Sequence, residues 1–349
     1  MDAYINSKAK YLFPAYFAMV MTAGTLSIGT YLLDFSVISI LLLYINTVAY
    51  IALWGLTLIR LFKYFPRFRK DMMSHEKGPG FFTLVAGTCV FGSQIYIVTD
   101  NEWLPLILWV LGIFLWVMVM YTFFISVTIR KKKPRLSEGI NGAWLIAAVG
   151  TQSVSVLGTL LSPSINTGKE ILLFFTLCMY FLGCMLYLNI ITLIFYRFMF
   201  LKLDFKALSP PYWINMGAVA ITSLAGATLI LHAGEMSLLT EITPFLKGFT
   251  VFFWVTGTWW IPLLFILMIW RHVVHKYPLT YEPGFWGMAF PLAMYTTSTL
   301  QLSKALELSF LQYISYGMVL IAVVVYLAVM AGFLHHIYKD YRQFNQAKI

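Results

Sequence analysis

Charge is scarce in this sequence, and acidic charge is scarcest: 14 Asp and Glu stand in 349 residues, against 24 Lys and Arg. Charged residues make up 11% of the chain, under half of what a soluble globular domain carries, which argues against a water-exposed fold. Cysteine is rarer still. Cys89, Cys178 and Cys184 all lie in apolar runs. Cys178 and Cys184, six apart on one helix, cannot face each other, so the three read as small packing residues, not disulfide or metal sites. Constellations of chemistry are missing as well. There is no nucleotide-binding loop, no nucleophile–base arrangement and no zincin spacing, so neither an enzyme nor a bound cofactor is expected. His232, His272, His275, His335 and His336 fall at the ends of apolar runs and His75 in a loop, none of them placed for mid-membrane haem ligation. His272 and His275 have the spacing of helical metal ligands, but no carboxylate or Cys nearby completes a site, and no metal is expected.

What the chain has is apolar length. Apolar residues make up 60% and aromatics 17%, and the mean hydropathy is +0.80. Runs almost free of charge over roughly 14–32, 36–60, 80–98, 103–129, 142–160, 171–196, 211–230, 245–270, 284–302 and 309–336 read as ten membrane spans. Nothing is left over for a separate soluble domain. The first run follows Lys8 and Lys10 as a signal peptide would, but it is too long and lacks a small-residue cleavage site.

One short signature recurs five times. It opens Pro14-Ala15-Tyr16-Phe17, Pro79-Gly80-Phe81-Phe82, Asn141-Gly142-Ala143-Trp144, Pro210-Pro211-Tyr212-Trp213 and Pro283-Gly284-Phe285-Trp286. The starts lie 65, 62, 69 and 73 residues apart, the length of one down-and-up membrane hairpin. The expected fold class is therefore an all-α integral membrane protein. Ten transmembrane helices form five helical hairpins in a quasi-five-fold ring, and the inner, odd helices line a central pore. The whole of 1–349 is one such domain, with hairpins at about 10–62, 79–130, 141–200, 210–271 and 283–338.

The net charge of +10 raises nucleic acid as a partner, and its distribution argues against one. The chain start, the loops after the even spans and the tail hold 21 of the 24 Lys and Arg, while the other connections hold only Lys169, Lys247 and Lys304. The positive-inside rule then puts both termini in the cytoplasm of a multi-pass protein of the plasma or inner membrane. The run Arg130-Lys131-Lys132-Lys133 reads as a topology anchor, with anionic-lipid binding or delivery of anions to a pore mouth as further roles.

Odd and even spans differ. The odd ones hold 30 Gly, Ser or Thr in 96 residues, the even ones 21 in 132. Small residues and hydroxyls suit an inner wall around a wet passage, or else serve close helix packing alone. Every odd span starts on the cytoplasmic side, so five positive helix ends would meet there and favour an anion. No acidic residue falls in an odd span, which suits anions better than cations. Pore-lining candidates on these spans are Thr22, Gly24, Gly87, Gly150, Gly217, Gly287, Pro291, Met294 and Thr297. Gln152 and Asn215 either touch a permeating anion or bond helix to helix. In the ninth span, Gly287, Phe290, Met294, Thr297 and Gln301 share one face beside Pro291, which breaks the backbone hydrogen-bond ladder. Phe290 is then either a plug at the centre of a pore or a packing residue.

The ten-span plan, Phe17-Ala-Met-Val-Met-Thr-Ala-Gly24, Pro210-Pro-Tyr-Trp-Ile-Asn-Met-Gly217 and, above all, Phe285-Trp-Gly-Met-Ala-Phe290-Pro291 resemble the tellurite-resistance/dicarboxylate transporter family. That family includes plant guard-cell slow anion channels, bacterial tellurite-resistance channels and yeast malate permeases. The resemblance covers nearly the whole chain. It implies five inner helices around a pore, five outer helices, a homotrimer, and a gating Phe in the ninth helix that corresponds to Phe290. Thr22 stands where many members have glycine, and Pro291 where some do. The long tails through which kinases act on the plant channels have no counterpart in this sequence, so control of that kind is not implied. The function expected is an anion channel or facilitator whose partners are small inorganic or organic anions and membrane lipid. The alternative is a proton-coupled C4-dicarboxylate (malate), sulfite or tellurite carrier on the same fold. Coupling to protons normally uses an intramembrane Asp, Glu or His, and the odd spans have none. A membrane enzyme or receptor is the third reading, disfavoured by the lack of a catalytic cluster or sensor domain.

Overall fold

A computed structural model describes residues 2–165 and 167–346. Its ten longest helices among these residues are α1 (Ala18–Leu32), α2 (Ser36–Lys63), α3 (Phe82–Thr99), α4 (Trp103–Thr128), α5 (Ile146–Leu160), α6 (Lys169–Phe200), α7 (Ile214–Leu231), α8 (Ser237–Ile269), α9 (Trp286–Leu306) and α10 (Leu311–Gln346). Among the described residues, nine of these segments are long and apolar enough to cross a membrane. The exception is α9. It has 21 residues, but Thr296, Thr297, Ser298, Thr299, Gln301, Ser303 and Lys304 lower its hydropathy. No strand occurs among the described residues.

Odd and even helices pair as α1–α2, α3–α4, α5–α6, α7–α8 and α9–α10. The odd helices also pack on one another in a closed circuit, α1–α3–α5–α7–α9 and back to α1. Each even helix wedges between its own odd partner and the next, α2 also touching α3, α4 touching α5, and so on to α10 touching α1. Burial follows this division. In the spans that carry α1, α3, α5 and α7, 78% to 94% of residues are buried, against 22% to 50% in the outer spans. The outer helices expose Val48, Ile51, Phe114, Ile125, Leu320 and Val324. Such a surface is unsuited to water and suited to lipid, where backbone groups are satisfied inside each helix.

The recurring signature has a physical explanation. Each copy forms a single tight helical turn that leads into an inner helix: Pro14–Phe17, Gly78–Phe81, Gly142–Leu145, Pro210–Trp213 and Pro283–Phe285. Proline suits such a start because its missing N–H has no partner to lose there. The five turns touch one another in the same circular order as the helices. This contact needs a residue without a side chain. A Cβ on Gly142 would lie 2.3 Å from the Pro211 carbonyl oxygen and 2.6 Å from Tyr212 Cα.

Three buried arginines fix the ring to the outer helices. Arg60 at the end of α2 donates to the Leu12 carbonyl (2.7 Å), Arg197 on α6 to that of Ile140, and Arg271 after α8 to that of Leu208 (2.6 Å). Each acceptor lies just before the tight turn of the same hairpin. A charge-assisted bond of this kind stabilises by about 1.5–3 kcal/mol. The three bonds hold the turns in place at one end of the molecule.

Candidate functional site

Two cavities lie on the axis enclosed by the inner helices. The first, about 40 Å3, is bounded by the ring of turns and ends at Phe290. The second, about 30 Å3, begins one helical turn further on, and no residue lines both. A buried water needs about 10–15 Å3 by this measure, so each cavity admits about two or three.

Their linings follow one register. Counted from Pro14, Pro79, Gly142, Pro210 and Pro283, the lining residues on the five helices recur at offsets of 4, 7, 11, 14 and 18. Offset 4 gives Ala18, Thr83, Ile146, Ile214 and Gly287. Offset 11 gives Thr25, Val90, Ser153, Ile221 and Met294, and offset 14 gives Ile28, Ser93, Val156, Leu224 and Thr297. These steps of three and four keep one face of each helix on the axis. At offset 7 stand Met21, Ala86, Val149, Gly217 and Phe290. Only Met21, Val149 and Phe290 of these border the first cavity, and none borders the second. The interruption therefore coincides with the one aromatic side chain of that layer, which is 1% exposed.

The axis is neutral. The five inner helices carry a single charged residue, Lys304, in the last turn of α9. Hydroxyls line the second cavity: Thr25, Ser93, Ser153, Thr228 and Thr297. Most are engaged with backbone carbonyls. Ser93 donates to Cys89 (3.0 Å), Ser153 to Gly150 (2.7 Å), Thr228 to Leu224 (2.8 Å) and Thr297 to Thr25 (3.2 Å). Thr25 Oγ1 is buried with no partner among the described residues. At the other end, all five helix N-termini converge on the ring of turns, where their dipoles add a positive field. Glu76 and Lys77 stand at that mouth. Nearby, burial lowers the pKa of His75, as do the charges of Arg130 and Lys133. The Tyr281 phenol is pushed up, first by burial, and accepts a hydrogen bond from the Trp286 indole (3.0 Å).

Among the positions singled out from sequence, Gly287, Phe290, Met294 and Thr297 border a cavity. Gln301, on the same face, borders the second cavity as well, whereas Thr22, Gly24, Gly87, Gly150, Gly217 and Pro291 border neither and sit at seams. Thr22 donates to the Ala18 carbonyl (2.7 Å) and lies 3.4 Å from that of Trp286, bridging α1 to α9. A Cβ on Gly24 would meet Val90, on Gly87 Phe17, and on Gly150 the Phe82 carbonyl. One on Gly217 would lie 2.7 Å from the ring of Pro291, which itself fills the α7–α9 seam. The physical reason is that small residues are consumed where helices approach most closely. Gln152 is also interhelical, donating to the Tyr180 carbonyl (3.0 Å) on α6. The Asn215 side chain is fully buried, and its amide has no partner among the described residues. His272 donates to the Tyr277 carbonyl (2.9 Å), while the His275 ring packs on Phe205 and Trp270. Sequence reading missed Met21, Thr25, Val90, Ser153 and Ile221. The signal that could have found them is the offset from each tight turn.

Residues 11–334 match the profile of the SLAC1 family, described as voltage-dependent anion channel. The chain belongs to this family. Members of the voltage-dependent anion channel family are channels and transporters, not enzymes, and the neutral axis described above fits that class. Two relatives in Methanocaldococcus jannaschii, both named uncharacterized transporters, are 26% and 25% identical. Each alignment spans 87% of this chain, and 88% and 87% of the relatives. A membrane protein of Mycobacterium tuberculosis is 37% identical over 153 residues, 44% of this chain and 77% of its own.

Proposed function

We propose that this protein is an anion channel whose pore is the axis of α1, α3, α5, α7 and α9, closed by the Phe290 ring. One observation carries the reading: along the common lining register of the five helices, the two cavities are parted at the layer that holds Phe290. The apolar ring stands between the two water-sized cavities, where a permeating anion would have to give up hydration. The positive helix ends and the cytoplasmic Lys and Arg draw anions to the mouth, and the neutral hydroxyl-lined segment passes them without a deep binding site. Ten spans, both termini in the cytoplasm of the plasma or inner membrane, and a homotrimer complete the proposal. The first two rest on the charge partition, the third on the resemblance to trimeric family members.

Planar-bilayer recording from purified protein tests it. The current should reverse near the chloride equilibrium potential, and nitrate, the more easily dehydrated ion, should permeate better than chloride. Reversal that tracks potassium would exclude an anion pore. Flux that demands a proton gradient, at carrier rates, would favour the coupled dicarboxylate, sulfite or tellurite carrier instead.

A further inference from the structure

A large basic cavity lies away from the axis. It is a cleft of about 390 Å3, an order of magnitude larger than either axial cavity, between the N-terminal helix Asp2–Lys10 and the short helix Phe65–Met72 that follows α2. Lys10, Arg60, Arg67, Lys70 and Lys77 line it, with Asp71 as the one carboxylate. Asp71 is already held by Arg60 (2.5 Å) and Lys77 (3.6 Å). Among the described residues, Lys10, Arg67 and Lys70 have no carboxylate partner. Arg67 and Lys10 lie over the Tyr11 ring at 4.6 and 5.5 Å, which orders both cations at the cleft. Arg60 is 3% exposed, and its Nε is buried without an acceptor. Five cations against one engaged carboxylate form a site short of about four negative charges.

A second cavity of about 440 Å3 adjoins the first and shares Tyr11, Leu12 and Phe13 with it. Its wall is apolar, with Ile5, Leu53, Leu56, Phe333 and Ile337 between α2 and α10. Lys8, His336 and Asp340 rim it, Asp340 being paired with Lys8 and 3.4 Å from His336. A basic cleft that continues into an apolar groove matches one kind of molecule, an anion with a hydrocarbon tail.

We propose that this paired cavity binds an anionic phospholipid, its phosphate among Lys10, Arg67 and Lys70 and an acyl chain in the groove. A terminal phosphomonoester carries −1.5 to −2 charges and three acceptor oxygens, which suits a cleft of five cations better than a diester. Phosphatidic acid is therefore the expected class of ligand. Lys77 and Phe13 line both this cleft and the first axial cavity, so a bound phosphate lowers the positive field at the pore mouth. The location on the cytoplasmic leaflet rests on the orientation proposed above; the binding chemistry does not.

Native mass spectrometry of the full-length protein in detergent, with lipid titrated in, counts bound lipid without reference to conduction. Phosphatidic acid should bind more tightly than phosphatidylglycerol, and phosphatidylcholine should not compete. Arg67→Gln with Lys70→Gln, both on exposed side chains, should weaken phosphatidic acid about 25-fold, about fivefold per cation removed. Lys10→Gln with Lys70→Gln should do the same and serves if the first pair folds poorly. Ile337→Asp should lose the lipid through the groove alone. Unchanged binding in the folded double variants would overturn the proposal. So would glycerol 3-phosphate, the headgroup without chains, displacing the lipid at equal concentration, for the site would then belong to a soluble anion.

Discussion

Replacing Phe290 with alanine removes the one aromatic side chain of the layer at offset 7 and leaves Met21, Ala86, Val149 and Gly217 around a gap. The axial cavities, about 40 and 30 Å3, are separated at this layer. Loss of a benzyl group would join them into one wettable passage. The energy scale follows from hydration. An apolar constriction denies an anion its water, and relief of about 3–4 kcal/mol of that barrier raises flux about 10²–10³-fold. Phe290→Leu and Phe290→Val should fall between wild type and alanine in order of side-chain volume. Stability offers a second readout. Truncating a buried Phe in a dry core costs about 3–5 kcal/mol, and a gap that fills with water from both cavities should cost less. Chloride current in planar bilayers or oocytes measures the first effect and detergent thermal melts the second. A well-folded Phe290→Ala protein with wild-type current would refute the reasoning, and Phe290 would then be a packing residue.

Other outcomes follow from particular contacts. Thr25→Val removes a buried hydroxyl with no partner; stability should rise by about 1 kcal/mol in thermal melts while anion current through an open variant falls. Gly142→Val puts a side chain into the Pro211 backbone and should cost about 3 kcal/mol or more. Gly287→Ala, whose nearest neighbours lie 3.5 Å away, should melt like wild type. His75 has its pKa lowered by burial and by Arg130 and Lys133, so the unfolded chain takes up its proton first as pH falls. That contribution to stability is present above about pH 6.5 and lost as pH drops towards the lowered value. His75→Gln should flatten the fall of the melting temperature between about pH 7.5 and 5.5.

Much of the architecture could be read from the chain because the five turn signatures are local. A proline or glycine that opens a tight turn, then aromatics, needs no distant partner to be recognised. The ninth span also declared its face, since Gly287, Phe290, Met294, Thr297 and Gln301 contrast with their neighbours. The other four inner helices did not. Their hydroxyls and glycines occur all round the helix, and a glycine required by a tight seam looks the same in sequence as one that lines a passage. Gly24, Gly87, Gly150 and Gly217 are the first kind, because Val90, Phe17, the Phe82 carbonyl and Pro291 press on them. The ninth span was legible from its place in the repeat even though its hydroxyls lower the hydropathy of α9, since the groups that suit an inner wall make a helix look less like a span. The basic cleft was illegible because its cations come from four separate segments that only the fold unites.

Accessibility of substituted cysteines from the aqueous phase tests the central claim most directly. In the Phe290→Ala background, single cysteines at Met21, Thr25, Ile28, Thr22, Gly24 and Gly29 are treated with a negatively charged thiol reagent while current is recorded. With the axis as the anion path, current is blocked at 21, 25 and 28, the offsets 7, 11 and 14 that face it, and is untouched at 22, 24 and 29, which face the seams. Block at the seam positions with none at Thr25 would contradict the account, for the anions would then take another route.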